Sequence, residues 1–583
     1  MTYEFGGFRL HPADRQLLDG DRPIPLTPKV FDTLVLLVQR GGSLIEKDEF
    51  LARIWPDTIV EEVGLAHNIS QLRRVLDKGT HSASFIQTVP KKGYRFTAPI
   101  TVQPVARQTN ERPSGIVLGV LPFDNLTDDA EREYLADSLT EEVIAALGQI
   151  DPDRLVVIGR TSMMTYKRTT KPIAEIGREL NASYLLETSI RAEAGRLRVI
   201  AKLIRVRDQT ATWAASFDAE PVSLLTFQCE LSTAIAEHVR VRLRPDYLGA
   251  LARRQTPSAD AYDCYLRGRY FWNQLTPTTN ARAIQYFERA IASDPDYALA
   301  WSGISFAVLG SSMNSDMPPA AVLPRAKDAA ARALKADPGL PDAHAVMGYV
   351  GFLFEWDWVA AEAALRKAIA LDHACALGHR MLGHLLSQTG RHAEARSALQ
   401  RLCQIDPLYS MNHAMASQVA FQARDYDSAL EHAQQAVVID PEFWIGHMEL
   451  GQAYERLSAA DLALDALMSA SRLSGGNSKP ISLRAYVLAT TGRADDAREL
   501  LKMLQAVSRD RYVPPFAIAL VHAGLGDREQ MFEWLDRACA ARDVHLIFLT
   551  VDPKWDPYRF DPRFQAILAR CGFPFIPDTS PRR

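Results

Sequence analysis

A turn recurs along the second half of this chain at a nearly fixed interval, and that interval constrains the fold more than any other feature. Alanine-rich amphipathic stretches between Tyr262 and Asp543 end at Pro295, Pro338, His373, Pro407, Pro441, Gly475, Arg509 and Asp543, spaced by 43, 35 and then five times by 34 residues. Twelve, eight and five residues before each mark stand small or apolar residues, as in Ala395, Leu399 and Leu402 or Ala463, Leu467 and Ala470. Steps of four and three place them on one face of a helix. A generic helical bundle has no reason to hold one register so long, whereas units that bury their cores only against neighbours do.

With its small first-helix positions Gly348, Gly383, Gly451 and Ala485, this pattern resembles the tetratricopeptide repeat. The resemblance implies an all-α superhelix over residues 258–573. The first two units depart from it, with extra residues near Thr276 to Asn280 and an inserted loop from Ser311 to Pro319. Such arrays bind peptides or proteins along the concave face of their first helices. That face is expected to carry Arg380, His384, Gln388, Gln418, Gln422, Gln452, Glu455, Arg456 and Tyr486, facing either a protein or peptide partner, a small ligand, a second copy of the chain, or only solvent. The Lys and Asn pairs that clamp a terminal carboxylate in some family members are missing at the corresponding places.

Residues 1–100 differ in kind. Short strands are expected over Tyr3 to Leu10 and Arg15 to Leu26, then apolar helical periodicity over Lys29 to Arg40, Glu46 to Trp55 and Glu61 to Asp77, then a hairpin over Phe85 to Ile100 around Pro90-Lys91-Lys92-Gly93. This order describes a winged helix-turn-helix. With 13 Lys/Arg against 12 Asp/Glu its net charge carries no nucleic-acid signal. Between Arg73 and Arg95, however, stand six cations (Arg73, Arg74, Lys78, Lys91, Lys92, Arg95) and one acid, Asp77. Phosphate neutralisation needs such a local patch, and His67, Asn68, Ser70 and Gln71 on the same helix could reach base edges in a major groove.

The segments "LARIW" (Leu51 to Trp55), "ISQLRRVL" (Ile69 to Leu76) and "IQTVPKKGYRF" (Ile86 to Phe96) look like the OmpR/PhoB-type winged-helix DNA-binding domain. The resemblance implies a third helix in the major groove of double-stranded DNA and a wing on the backbone or adjacent minor groove. Carried over, it offers Asn68, Gln71 and Arg73 as groove residues, Arg74 as a phosphate contact and Arg95 as the wing arginine, with Lys78, Lys91 and Lys92 adding charge. Relatives of this type place a receiver domain ahead of the winged helix or a membrane-spanning helix behind it. Here the winged helix starts at residue 3 and a polar linker, 101–114, follows, so the signal is expected to enter elsewhere.

Residues 115–243 read as α/β, with strands at Ile116 to Phe123, Leu155 to Gly159, Ser183 to Ala192, Leu197 to Asp208 and Thr210 to Phe217, and helices at Ala136 to Leu147 and Ile173 to Leu180. "VLPFDNLTDD" (Val120 to Asp129) and "VIGRTS" (Val157 to Ser162) are similar to the TolB-type amino-terminal domain. Asp124, Asn125, Asp128 and Asp129 follow a strand end, where they either bind a ligand or simply form a turn.

A formal net charge of -4 and 47% hydrophobic residues fit an ordinary globular chain, and no apolar run approaches the ~18 residues needed to cross a bilayer. Six dispersed cysteines without a CxxC pair suit reduced thiols and predict neither zinc nor disulfides. No phosphate loop, HExxH or GxSxG motif is present, and the paired metal-binding aspartates of a nucleotidyl cyclase have no evident home. The expectation is a cytoplasmic, non-enzymatic, multidomain protein without cofactor or metal: a one-component transcriptional regulator, or alternatively a repeat scaffold whose winged helix docks on protein.

Overall fold

The 34-residue register folds as its spacing predicts. The computed structural model describes residues 2–573 apart from 12–15, 20–21, 25–27, 41–43, 48, 51–61, 77–84, 90–91, 99–100, 104–115, 128, 130–131, 152–153, 194–195, 219–223, 240, 242–255, 274–276 and 310–315. Eight helix pairs run from Ala259–Trp272 with Pro277–Ser293 to Pro515–Leu525 with Arg528–Ala540. The residues twelve before each mark, from Ala283 to Met531, are all buried. Second helices begin on aspartate N-caps where one is available: Asp357, Asp425 and Asp527 each accept a bond from the backbone N–H three residues on, satisfying a donor the helix cannot. The first-helix glycines allow close approach, since a Cβ on Gly451 would lie 2.5 Å from Leu467 Cγ. Thr276 and 311–315, part of the two irregular units, lie outside the described residues.

The turns after the second helices show how the array meets the middle region. Asp337, Asp372 and Asp440 each turn their carboxylate onto the N–H two residues on, at 2.9 to 3.0 Å. Asp406 instead reaches out of its turn. It accepts from the backbone N–H of Ser162 at 2.7 Å and from the Ser162 hydroxyl, which itself accepts from Leu408 N–H at 2.8 Å. Gly159 N–H donates to Ile405 O at 2.6 Å, and a Cβ on Gly159 would strike the Asp406 carboxylate at 2.8 Å. The Val157 to Ser162 segment is thus built into a repeat turn.

The middle region is a mixed sheet. Ile116–Val120 pairs in parallel with Leu155–Val157 and with Tyr184–Glu193, which continues antiparallel through Arg196–Arg205 and Thr210–Asp218. Helices Glu133–Gly148 and Ile173–Glu179 fall where periodicity places them, and Arg160–Met164 and Leu224–His238 are additional. This region and the repeats form one compact unit, Pro113–Arg583, and one core runs from Leu118 and Leu139 through Tyr265 and Phe287 to Phe548. Ser138 Oγ also donates to Leu266 O in the first repeat helix at 3.0 Å. The α/β stretch is therefore not a layer standing apart from the array.

Met1–Arg112 forms the other unit. Four strands between Thr2 and Ile24 make an antiparallel sheet, joined at its far edge by Thr101–Gln103 pairing with Thr2–Phe5. The expected linker 101–114 is corrected at its start, because these three residues complete the sheet. Helices Pro28–Gln39 and Glu62–Leu76 pack behind a three-stranded sheet of Leu44–Glu46, Gly93–Phe96 and Ile86–Val89. The helix expected over Glu46 to Trp55 lies mostly outside the described residues. Phe5, Leu34, Phe50, Leu72 and Phe96 belong to this unit's own core. The region is a winged helix.

Ser162→Ala removes the hydroxyl bridging Asp406 and Leu408, and is expected to cost about 1–3 kcal/mol, the usual penalty for a buried polar group left unpaired. Urea unfolding of the full chain checks this. Ser508→Ala, which removes an exposed hydroxyl bond to Gln505 O, should stay within about 0.5 kcal/mol of wild type.

Candidate functional site

Two faces carry the residues singled out from sequence. In the winged helix, the pattern of helix 62–76 buries Leu65, Ile69, Leu72 and Leu76 and leaves Ser70 and Arg74 exposed with Gln71 half-buried. On the hairpin, Lys92 and Arg95 are exposed. Gly93 permits the close strand approach there, since a Cβ would meet Ile45 O at 2.0 Å. Arg74, Lys92 and Arg95 thus stand on the solvent side of helix and wing, as a phosphate-binding surface requires.

Two expected groove residues face elsewhere. Asn68 is buried and its Nδ2 donates to Thr33 Oγ1 at 3.0 Å, tying helix 62–76 to helix 28–39. Its place on the inward face, one turn from Leu65 and Leu72, prevents it from reading a base edge in this conformation. Arg73 is half-buried, and its Nε and Nη2 donate to Ile86 O at 3.2 and 2.8 Å, with Nη2 also donating to Thr88 Oγ1 at 2.7 Å. It fastens the helix to the wing and holds the two elements in register. Lys78 and Lys91 lie outside the described residues, and nothing is described of the His67 side chain.

The inner face of the repeats departs further from expectation. After the eighth helix pair the chain forms two 3-10 helices, Val544–Phe548 and Pro553–Tyr558, which fold back onto the first helices, and a short helix Pro562–Arg570, which packs on helix 528–540. Thr550 Oγ1 donates to Gln388 O at 2.7 Å. Lys554 Nζ donates to Gln452 Oε1 at 2.8 Å, pairs with Asp552 at 3.3 Å and lies 4.6 Å from the Phe421 ring centre. Arg424 pairs with Asp556, and Trp358 Nε1 donates to Cys571 O.

His384, Gln388, Gln422, Gln452 and Tyr486, expected on an open groove, are in consequence buried. Gln388 Nε2 donates to Gln422 Oε1 at 3.2 Å, and His384 packs between the Phe352 and Phe548 rings. Gln418 and Gln452 line a remaining cavity. Arg380 turns away to Asn412 and the Tyr409 ring, while Arg456 pairs with its neighbour Glu455 at 2.6 Å. Burial pushes Tyr486 up to about 12 despite the opposing Arg456. The closing residues Asp552, Lys554 and Phe548 lie past the last full repeat, and no periodicity points to them.

At the middle strand end, Asn125 Oδ1 accepts from Thr127 N–H at 3.1 Å and its Nδ2 donates to Asp129 O at 3.1 Å, while Asp129 pairs with Arg132. Turn chemistry accounts for Asn125 and Asp129; Asp128 lies outside the described residues. Among the described residues no group of three or more His, Cys, Asp or Glu is placed to hold a metal ion, and no helix is long and apolar enough to cross a membrane.

Residues 21–96 match the family described as "Transcriptional regulatory protein, C terminal", and residues 357–410 and 415–478 match the tetratricopeptide repeat. The transcriptional regulator HilA of Salmonella typhimurium is 25% identical over 352 residues, 60% of each chain. A Rhizobium meliloti protein named "Putative adenylate cyclase 3" is 30% identical over 246 residues, 41% of each chain. The transcriptional activator CadC of Escherichia coli is 32% identical over 96 residues, 16% of this chain and 19% of its own. The chain thus spans less than two thirds of the length of these relatives. It carries an N-terminal domain of the OmpR/PhoB type and C-terminal tetratricopeptide repeats.

Burial of His384, with Lys479 adding like charge, holds its imidazole at about 3 against an ordinary 6.5. The folded state therefore binds the proton more weakly than the unfolded chain. The stability linked to this group is full above pH 6.5 and is lost as pH falls toward 3. His384→Leu is expected to flatten that loss relative to wild type, measured by urea midpoints at pH 7 and pH 4.5.

Proposed function

We propose that the chain is a DNA-binding transcriptional regulator whose winged helix docks on duplex DNA and whose repeats are the receiving module for a partner or effector. The observation that carries this reading is the exposed set Arg74, Lys92 and Arg95 on two elements that lie within the match, over residues 21–96, to the C-terminal domain of transcriptional regulatory proteins. In this reading Gln71 and Ser70 face the base edges, Arg74, Lys92 and Arg95 neutralise phosphates, and Arg73 positions the wing. The repeat matches support a protein partner. With its own C-terminal residues on the inner face, the array offers such a partner its other surfaces or a face it must first uncover. The "VLPFDNLTDD" and "VIGRTS" motifs support a TolB-type middle region, whose built-in contact with Asp406 would couple it to the repeats.

Arg74→Ala and Arg95→Ala are each expected to weaken binding to all duplex sequences and to reduce the slope of log affinity against log salt by about 1. Asn68→Ala should lower the stability of the winged helix by about 1–3 kcal/mol without changing that slope. Fluorescence anisotropy with genomic DNA fragments at several salt concentrations measures both. Affinity independent of salt would favour the alternative, a repeat scaffold whose winged helix docks on protein.

A further inference from the structure

The inner face is not filled completely. Between the first helices 410–422, 444–456, 478–490 and 515–525 and the closing residues 545–552 lies a cavity of about 50 Å³ that opens to solvent. Its walls divide by chemistry. Phe421, Leu483, Phe516 and Leu520 supply an apolar side, and Lys479, His545, Gln418 and Gln452 a polar one, with the Asp552 carboxylate, paired to Lys554, also in the wall.

Two of these polar groups lack partners. His545 is 6% exposed. Its Nδ1 meets Asp543 Oδ1 at 2.8 Å, and Phe516 stacks on its ring, yet Nε2 has no hydrogen-bond partner. Lys479 Nζ lies 5.5 Å from the Phe548 ring centre and, among the described residues, makes no hydrogen bond or ion pair. The charges around it are otherwise committed: Lys554 to Asp552, His545 to Asp543, and Glu449 to the Gln452 amide at 3.0 Å. Burial lowers Lys479 against the opposing charges of Glu449 and Asp543, and raises Glu449 to about 7. Lys479 is half-buried; the buried imidazole nitrogen without a partner is costly, and an amphipathic cavity with few polar groups is the usual form of a small-molecule site.

We propose that this cavity binds a small amphipathic monocarboxylate, its carboxylate on Lys479 with His545 Nε2 as a second polar contact and its hydrocarbon body against Phe421, Leu483 and Phe516. A free small molecule fits better than a peptide end. The chain's own Thr550 and Lys554 occupy the inner face at Gln388 and Gln452, so an extended peptide lacks the length of groove it needs. The site goes beyond the DNA-binding reading, and its occupancy is measured without DNA.

The test is calorimetric titration of the full chain with the straight-chain acids from acetate to octanoate, with 1-octanol, and with an acetylated pentapeptide ending in a free leucine carboxylate. Saturable one-to-one binding is expected, tightening about fourfold per added methylene, the equivalent of ~0.8 kcal/mol per buried CH₂. Octanol should bind at least tenfold more weakly than octanoate, and Lys479→Met should weaken octanoate at least tenfold. Three results on the unmodified protein overturn the proposal: no saturable binding across the series, equal binding of octanol and octanoate, or tighter binding of the pentapeptide. Unchanged octanoate affinity in a Lys479→Met variant of wild-type melting temperature overturns it as well. The first three comparisons need no variant to fold.

Discussion

The buried ammonium of Lys554 is the contact on which the inner face of the array depends. It is 2% exposed, and its hydrogen bond to Gln452, its pairing with Asp552 and its place over Phe421 replace the water it has lost. Stacked helix pairs bury the surfaces they turn to one another, but nothing in the stacking covers the concave side. Here the chain supplies that cover itself. The polar residues there, Gln388, Gln422 and Gln452, are hydrogen-bonded to each other or to the closing segment, so polar burial is offset in part, Gln388 Oε1 and His384 Nε2 being left without partners.

The same economy governs the seam with the middle region. An aspartate that in other units caps its own turn is diverted at Asp406 to Ser162, and the serine hydroxyl returns a bond to Leu408. Burial raises the Asp406 carboxyl while the Ser162 bonds lower it, burial being the larger effect. The Asp406–Ser162 contact gives the middle sheet a direct structural path to the repeats, although coupling through that path is a matter for double-mutant measurement rather than proximity.

In the winged helix, cations serve two purposes that composition does not separate. Arg73 and Arg74 are adjacent in sequence, yet 100° of helical rotation sends one to Ile86 and Thr88 on the wing and leaves the other in solvent. Periodicity alone sorts Asn68 inward, since it lies three residues after Leu65 and four before Leu72. Its polar amide drew it into the groove set, and the partner that makes inward burial tolerable, Thr33, is 35 residues away.

Local pattern carried most of the architecture: the repeat register, the helices and strands of the middle region, and the winged-helix order with its cation cluster all depend on contacts between residues near in sequence or related by a fixed period. What lay beyond it depends on contacts without a period. The pairing of Thr101–Gln103 with the first strand, the merging of the middle sheet with the repeat core, and the return of residues 544–558 onto the first helices join positions tens to hundreds of residues apart. Sequence placed Gln388, Gln418, Gln422 and Gln452 on one common face, because helical geometry dictates that. Whether that face met water or protein was decided only by tertiary structure, because burial depends on which distant segment arrives to displace the solvent.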